Sequence, residues 1–183
     1  SATPLHGALH KAGAYYQDST GTGPYGPLGT GSSQYSCRQN FTILTTDGYW
    51  NNTSNYSGTL SGGTWTNGVG EQDDADGSTI TGPNGASYTY NASSDRKWPF
   101  IGSDSGTLAD VAMKYWKTDL RTDLTNNVPK TDTDPAFWQH MVTFGISIGL
   151  AGTRGWRSVE ETQNATVNKT WPNPNDAENN DRI

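Results

Sequence analysis

Residues 40–52 read NFTILTTDGYWNN, and they set the frame for everything around them. Phe41, Ile43 and the threonines at 42, 45 and 46 make the β-branched and aromatic run that a pleated strand favours. The run closes on Asp47-Gly48, a pair that turns a chain. The pattern predicts a strand over 41–47 that carries an aspartate at its last position. A polar loop bearing Tyr49 and Trp50 follows at once.

Upstream, Leu5, Ala8, Leu9, Ala12, Tyr15 and Tyr16 recur at helical spacing. Thr3 suits the N-cap, where its hydroxyl accepts an orphan backbone N–H, and Pro4 suits the first helical position. A helix over 4–17 is predicted, followed by a glycine- and proline-punctuated loop over 18–33. Downstream, 49–105 shows no sustained periodicity, only short strand-like runs between NG and GG turns, so it reads as an elaborated insertion. Leu108, Val111, Ala112, Tyr115 and Trp116 then share one face of an amphipathic helix over 106–118. DPAFWQH (134–140) adds a helical turn, MVTFGISIGL (141–150) reads as a buried strand, and 153–183 is an irregular polar tail. No internal repeat appears. Strands separated by helices imply parallel crossovers and an open α/β sheet with helices on both faces. Ligands of such sheets gather at the carboxyl ends of the strands, which is where Asp47 falls.

A length of 183 residues is about one domain. Only 31% of residues are hydrophobic, and the mean hydropathy is -0.77, so the core is modest and the loops long. The net charge is -6 with a pI near 4.8, and the 12 Lys and Arg are scattered. Nucleic acid, which needs a clustered basic surface, is thereby excluded as a partner. The longest apolar run, 141–150, is about half of what a membrane span needs. SATPLHGALH has neither the basic start nor the apolar stretch of a signal peptide. The single cysteine, Cys37, excludes an internal disulfide and an all-cysteine zinc site. It is either a buried or idle thiol or one paired with another part of a longer chain.

TPLHGAL (3–9), FTILTTDGYWN (41–51), LADVAMKYWKTDLR (108–121) and DPAFWQHMVTFGISIGL (134–150) together resemble the von Willebrand factor A-like domain of PilY-type proteins, the type IV pilus tip-associated adhesins. The resemblance implies a Rossmann-type, mostly parallel open sheet, here incomplete at both ends, with the long polar insertion at 49–105. It also implies a divalent cation, usually Mg²⁺, at the carboxyl edge, with Thr3 as the loop threonine and Asp47 as the last aspartate of the ligand set. Such a cation takes about six hard oxygens near octahedral geometry and keeps some waters, so a partner's carboxylate can complete its shell. No Asp-x-Ser-x-Ser string is present. The nearest, DSTGT (18–22), follows a helix and lies in a loop. The remaining donors are therefore expected from the remainder of a longer chain, with metal weakly held or absent in residues 1–183 alone.

The function so implied is a non-enzymatic, secreted, cell-surface module of the pilus tip (fimbrium), acting in assembly and attachment. Minor pilins and host or surface ligands are its implied partners. Tyr49, Trp50 and Trp65 are candidate contact anchors, because flat amphipathic rings give contact area at small entropic cost. A secreted carbohydrate-active enzyme or sugar-binding module is the alternative, and a structural spacer the second. A glycosidase would need two carboxyls about 5–9.5 Å apart, and no pair stands out. There is no G-x-S-x-G, and Cys37 has no assignable histidine partner. DDADG (73–77) echoes a calcium loop but lacks the later bidentate acid, so it reads as a solvated acidic turn. His6 and His10 lack the intervening glutamate of a zinc helix, and His140 stands apart.

Overall fold

The computed structural model describes residues 5–26, 34–46, 57–60, 63–66, 69–148, 158–166 and 170–171. Helix α1 spans Leu5–Tyr15, strand β1 Asn40–Thr46, and hairpin strands β2 and β3 Ser57–Leu60 and Gly63–Thr66. Strands β4 (Ile80–Thr81) and β5 (Ser87–Tyr88) flank a 3-10 turn, Pro83–Gly85. Helices α2 (Ala92–Asp95) and α3 (Leu108–Lys117), strand β6 (Met141–Ser147) and helix α4 (Val159–Gln163) complete the order.

β1 and β6 pair in parallel, from Asn40 opposite Met141 to Thr46 opposite Ser147. The crossover between them includes α3, as the alternation of elements predicts. Among the described residues the two other sheets are antiparallel hairpins inside 49–105, β2 with β3 and β4 with β5. The architecture is thus mixed helix and strand around a small parallel sheet.

Hydrogen bonds and contacts fix how the helices lie on that sheet. The Tyr16 hydroxyl donates to the carbonyl of Phe41 at 2.7 Å, pinning the C-terminal end of α1 to the start of β1. The Leu120 N–H donates to the Gln139 carbonyl at 2.8 Å, so the end of α3 meets the start of β6. His6 of α1 lies near Asp110 of α3, and His10 near Lys114 and Tyr115. The two helices therefore run side by side in one direction, counter to both strands, and their N-termini lie toward the end where the strands finish.

Between the helices and the sheet, Leu9, Val111, Tyr115, Leu120 and Met141 form one core cluster. Gly13 permits the close approach, because an added Cβ would fall 2.4 Å from the Tyr115 ring. Gly13→Ala is expected to destabilise the chain by about 1–3 kcal/mol in a urea titration. That outcome would run against alanine's better helix propensity, which alone predicts a gain. A second cluster joins Ile80, Ala136, Phe137 and Trp138 with Tyr88 and Trp116.

Several expectations need correction. DPAFWQH forms no helical turn. Pro135 has no N–H to give, and the Asp134 carboxylate is taken by the Ala136 N–H at 3.1 Å, by Trp116 Nε1 at 3.1 Å and by His140 Nε2 at 3.1 Å. The segment instead runs back along the chain, with Val128 N–H donating to the Phe137 carbonyl at 2.9 Å. The strand expected over 141–150 is not buried along its described length, Met141–Ser147. Met141 is buried, but the strand is exposed from Phe144 onward. Among the described residues α1 and α3 cover one face of the sheet, and the other stays open. The tail is also less irregular than expected, since Ser158 caps α4 by accepting the Glu161 N–H at 3.1 Å. Cys37 is exposed, which removes the buried reading of its thiol and leaves the idle one standing.

Candidate functional site

The parallel register brings the carboxyl ends of β1 and β6 together. The pairing continues past the sheet, with the Ile148 N–H donating to the Thr46 carbonyl at 2.9 Å. The N-terminal end of α3 is well built. The Thr107 hydroxyl accepts the Asp110 N–H at 3.2 Å, and the Asp110 carboxylate accepts the Thr107 N–H at 2.8 Å, a reciprocal cap. The rim therefore sets the two strand ends side by side, with the N-terminal ends of α1 and α3 lying toward it.

The expected site residues relate to this rim unevenly. Thr3 precedes α1 and Asp47 follows β1, and both lie outside the described residues, as do Tyr49 and Trp50. Trp65 is a β3 residue opposite Gly58 in the β2–β3 hairpin. The hairpin lies against α1.

The structure assembles a different acidic group that sequence reading missed. Carboxylate oxygens of Glu71, Asp73 and Asp110 all lie within 4.8 Å of one another. Only Asp73 belongs to the DDADG string; the others come from the preceding loop and from α3. The signal that could have revealed Asp110 was its place three residues after Thr107, a capping-box spacing that announces an ordered carboxylate.

Each of these carboxylates is already engaged. Asp110 accepts the Gln72 N–H at 2.8 Å as well as the N–H and hydroxyl of Thr107, both at 2.8 Å. Asp73 accepts from Arg96 Nε at 2.8 Å and from the Gly102 N–H at 3.1 Å. Glu71 accepts the N–H groups of Asp73 and Asp74 at 3.2 and 3.3 Å. Burial, then the hydrogen bond with Asp73, raises the Glu71 carboxyl above the usual range. Asp73 is lowered although burial opposes it, because hydrogen bonds from Glu71 and Arg96 favour its charged form. Buried Lys117 donates to the carbonyls of Gln72 and Ala75 at 2.6 and 2.8 Å and sits 5.3 Å from the Tyr90 ring centre. The group thus reads as a knot that ties 71–76 and 96–102 to α3, with its charge balanced by Arg96 and Lys117.

His10 adds a pH-sensitive contact to the α1–α3 joint. Its Nδ1 lies 3.3 Å from the Tyr115 hydroxyl, the rings meet edge to face, and the side chain is fully buried. Burial, then the charges of Lys114 and His6, lowers its pKa from 6.5 to about 4. The folded state therefore holds the ring neutral where the unfolded chain takes up a proton. Stability from this site is complete above pH 6.5 and is lost as the pH falls toward about 4. The melting temperature is expected to decline across that window, and His10→Gln to flatten the decline. Asp123, held low by Arg121, adds a further loss at still lower pH.

With the geometry in place, comparison with known proteins identifies the region. The chain is 35% identical over 166 residues to the type IV pilus biogenesis factor PilY1 of Pseudomonas aeruginosa strain PAK. It is 34% identical over 166 residues to that of strain PAO1. This chain is homologous to part of PilY1. The match covers 81% of this chain but only 12% of either relative. No family model matches the chain. No solved structure matches it. No helix among the described residues is long and apolar enough to cross a membrane.

Proposed function

We propose that this chain is a non-enzymatic adhesion and pilus-tip module that serves type IV pilus assembly and attachment at the cell surface. Homology to the PilY1 pilus biogenesis factors is the observation that carries the reading. In this reading the fold is von Willebrand A-like, and minor pilins and a host or surface ligand are the partners. The parallel β1–β6 pair, with both helices running counter to it, supports that architecture.

The metal-dependent edge is proposed at the same rim. Thr3 and Asp47 would hold Mg²⁺ or another divalent cation in the intact protein. A hydroxyl and a carboxylate are the hard donors such an ion prefers, and sequence places one just before α1 and the other just after β1. When bound, the cation would supply an open position for a partner's carboxylate. Two donors fall well short of about six, so additional chain and water complete the shell. The carboxylates of Glu71, Asp73 and Asp110 already accept hydrogen bonds from their own chain, and the proposed edge does not draw on them.

Calorimetric titration of the full-length protein with Mn²⁺ or Mg²⁺ tests the edge. Saturable binding abolished by Asp47→Ala, with unchanged circular dichroism, is expected. Binding that survives Asp47→Ala removes the edge. The adhesion reading has its own test in surface attachment of a pilated strain lacking this region. Wild-type attachment would overturn it.

A further inference from the structure

The turn that joins β4 to β5 runs Pro83-Asn84-Gly85, and all three residues are exposed. Asn84 takes φ 57° and ψ 29°, and Gly85 follows at φ 75°, so two successive residues lie in the left-handed region. Glycine enters that region freely, and asparagine is among the few chiral residues that enter it readily. Two backbone bonds close the turn. The Gly82 N–H donates to the Ala86 carbonyl at 2.8 Å, and the Ala86 N–H to the Pro83 carbonyl at 3.1 Å. Neither bond uses the Asn84 side chain or the Gly85 N–H. A Cβ placed on Gly85 would meet nothing within 4 Å, so the peptide plane between Asn84 and Gly85 has room to rotate.

The Asp76–Gly77 pair is built the other way. There the Gly77 N–H donates to the Tyr90 carbonyl at 2.8 Å, and the Asp76 carboxylate accepts the Ala92 N–H at 2.9 Å. Asn91 is held as well, its side-chain carbonyl accepting the Ser93 N–H at 2.9 Å as the cap of α2.

We propose that Asn84–Gly85 is a site of spontaneous backbone modification, where Asn84 loses ammonia and becomes aspartate or isoaspartate. The Gly85 nitrogen gives its proton to hydroxide and attacks the side-chain carbonyl carbon of Asn84. A C–N bond forms, the C–NH2 bond breaks, and ammonia leaves with a proton taken from water, closing a five-membered succinimide. Both reacting groups belong to adjacent residues, so the step needs no encounter, only a rotation that costs no tertiary contact. Water then opens the ring. Cleavage at the side-chain carbonyl gives aspartate, and cleavage at the main-chain carbonyl gives isoaspartate. The sum is amide plus water going to acid plus ammonia. Either product adds one negative charge to a chain already at -6. Isoaspartate also routes the main chain through Cβ, which puts an extra atom inside the turn that the Ala86–Pro83 bond closes. Ile80 and Tyr88, on either side of that turn, belong with Trp138 in the second core cluster, so the change loosens the hairpin where it meets the core.

Peptide mapping of the full-length protein, kept native or unfolded in guanidinium at mildly alkaline pH, tests this. Tandem mass spectrometry locates each product, and isoaspartyl methyltransferase marks the isoaspartate. Native Asn84 is expected to convert within about tenfold of its unfolded rate, whereas Asp76 slows by distinctly more relative to its own. The Asn84 rate should fall as the pH is lowered, because the nucleophile is the amide anion. Asn84→Gly retains the left-handed turn and should remove the product at this position with far-UV circular dichroism unchanged. If that variant fails to fold, Asn84→Gln serves, since the six-membered ring it requires closes far more slowly. A native Asn84 that stays intact, is slowed as much as Asp76, or converts at a rate indifferent to pH overturns the proposal.

Discussion

Replacing Trp138 with alanine is expected to cost about 3–5 kcal/mol, enough to unfold much of the population of a modest domain. Trp138 is fully buried at the centre of the second core cluster. Its ring stacks on Tyr88 at 5.0 Å and meets the edges of Trp116 at 5.7 Å and Phe137 at 5.4 Å. Its Nε1–H donates to the Trp116 carbonyl at 2.9 Å, so even the polar tip is satisfied. Alanine would remove the ring that links hairpin β4–β5, the end of α3 and the strand-like segment before β6. The surroundings cannot close the hole without moving all three. Guanidinium titration followed by far-UV circular dichroism should show the midpoint falling while the slope stays constant. Trp138→Phe keeps part of the volume and should cost distinctly less. Equal losses for both variants would shift the weight from packing to the Nε1 hydrogen bond.

The second large effect lies at Asp110. Asp110→Ala is expected to cost about 2–4 kcal/mol, because it removes the reciprocal cap of α3 and leaves the part-buried N–H groups of Gln72 and Thr107 without their acceptor. Asp110 is 3% exposed, so water replaces those acceptors poorly. Lys117, whose pKa burial lowers and Asp110 raises, would also lose a stabilising neighbour and fall further. Thermal unfolding measures the total. Hydrogen exchange at the Gln72 and Thr107 amides separates the knot from a general loss of stability. Exchange at those two amides that accelerates beyond the increase the global loss gives the Leu9–Tyr115 core is the expected signature. Uniform acceleration would mean that Asp110 acts only through the global equilibrium.

Much of the local structure was legible because local physics decides it. The apolar spacing of Leu5 to Tyr16 yields α1 and that of Leu108 to Trp116 yields α3, each within two residues of the predicted ends. The β-branched runs yield β1 and β6, and the alternation of helices and strands was enough to predict that these pair in parallel. The failures have a common origin. Residues 141–150 look buried by composition, but burial depends on what packs against the second face. DPAFWQH has helical spacing, but Asp134 finds better partners in Trp116 and His140 across the fold. Within the insertion the hairpins are short and lean on distant residues, so no periodic signal announces them.

The candidate site divides the same way. Thr3 and Asp47 were chosen from a capping pattern and a strand end, features written in a few adjacent residues. Glu71, Asp73 and Asp110 could not be chosen so, since the nearest pair is two positions apart and the third comes from another element. Sequence by itself determined which stretches coil, which extend, and that the chain shares part of its descent with PilY1, because propensity, periodicity and inherited residues are all recorded along the backbone. Only the tertiary structure decided which carboxylates meet, which histidine is held neutral and which sheet face is left bare. Those properties depend on distances between residues remote in sequence, and such distances exist only once the chain has packed.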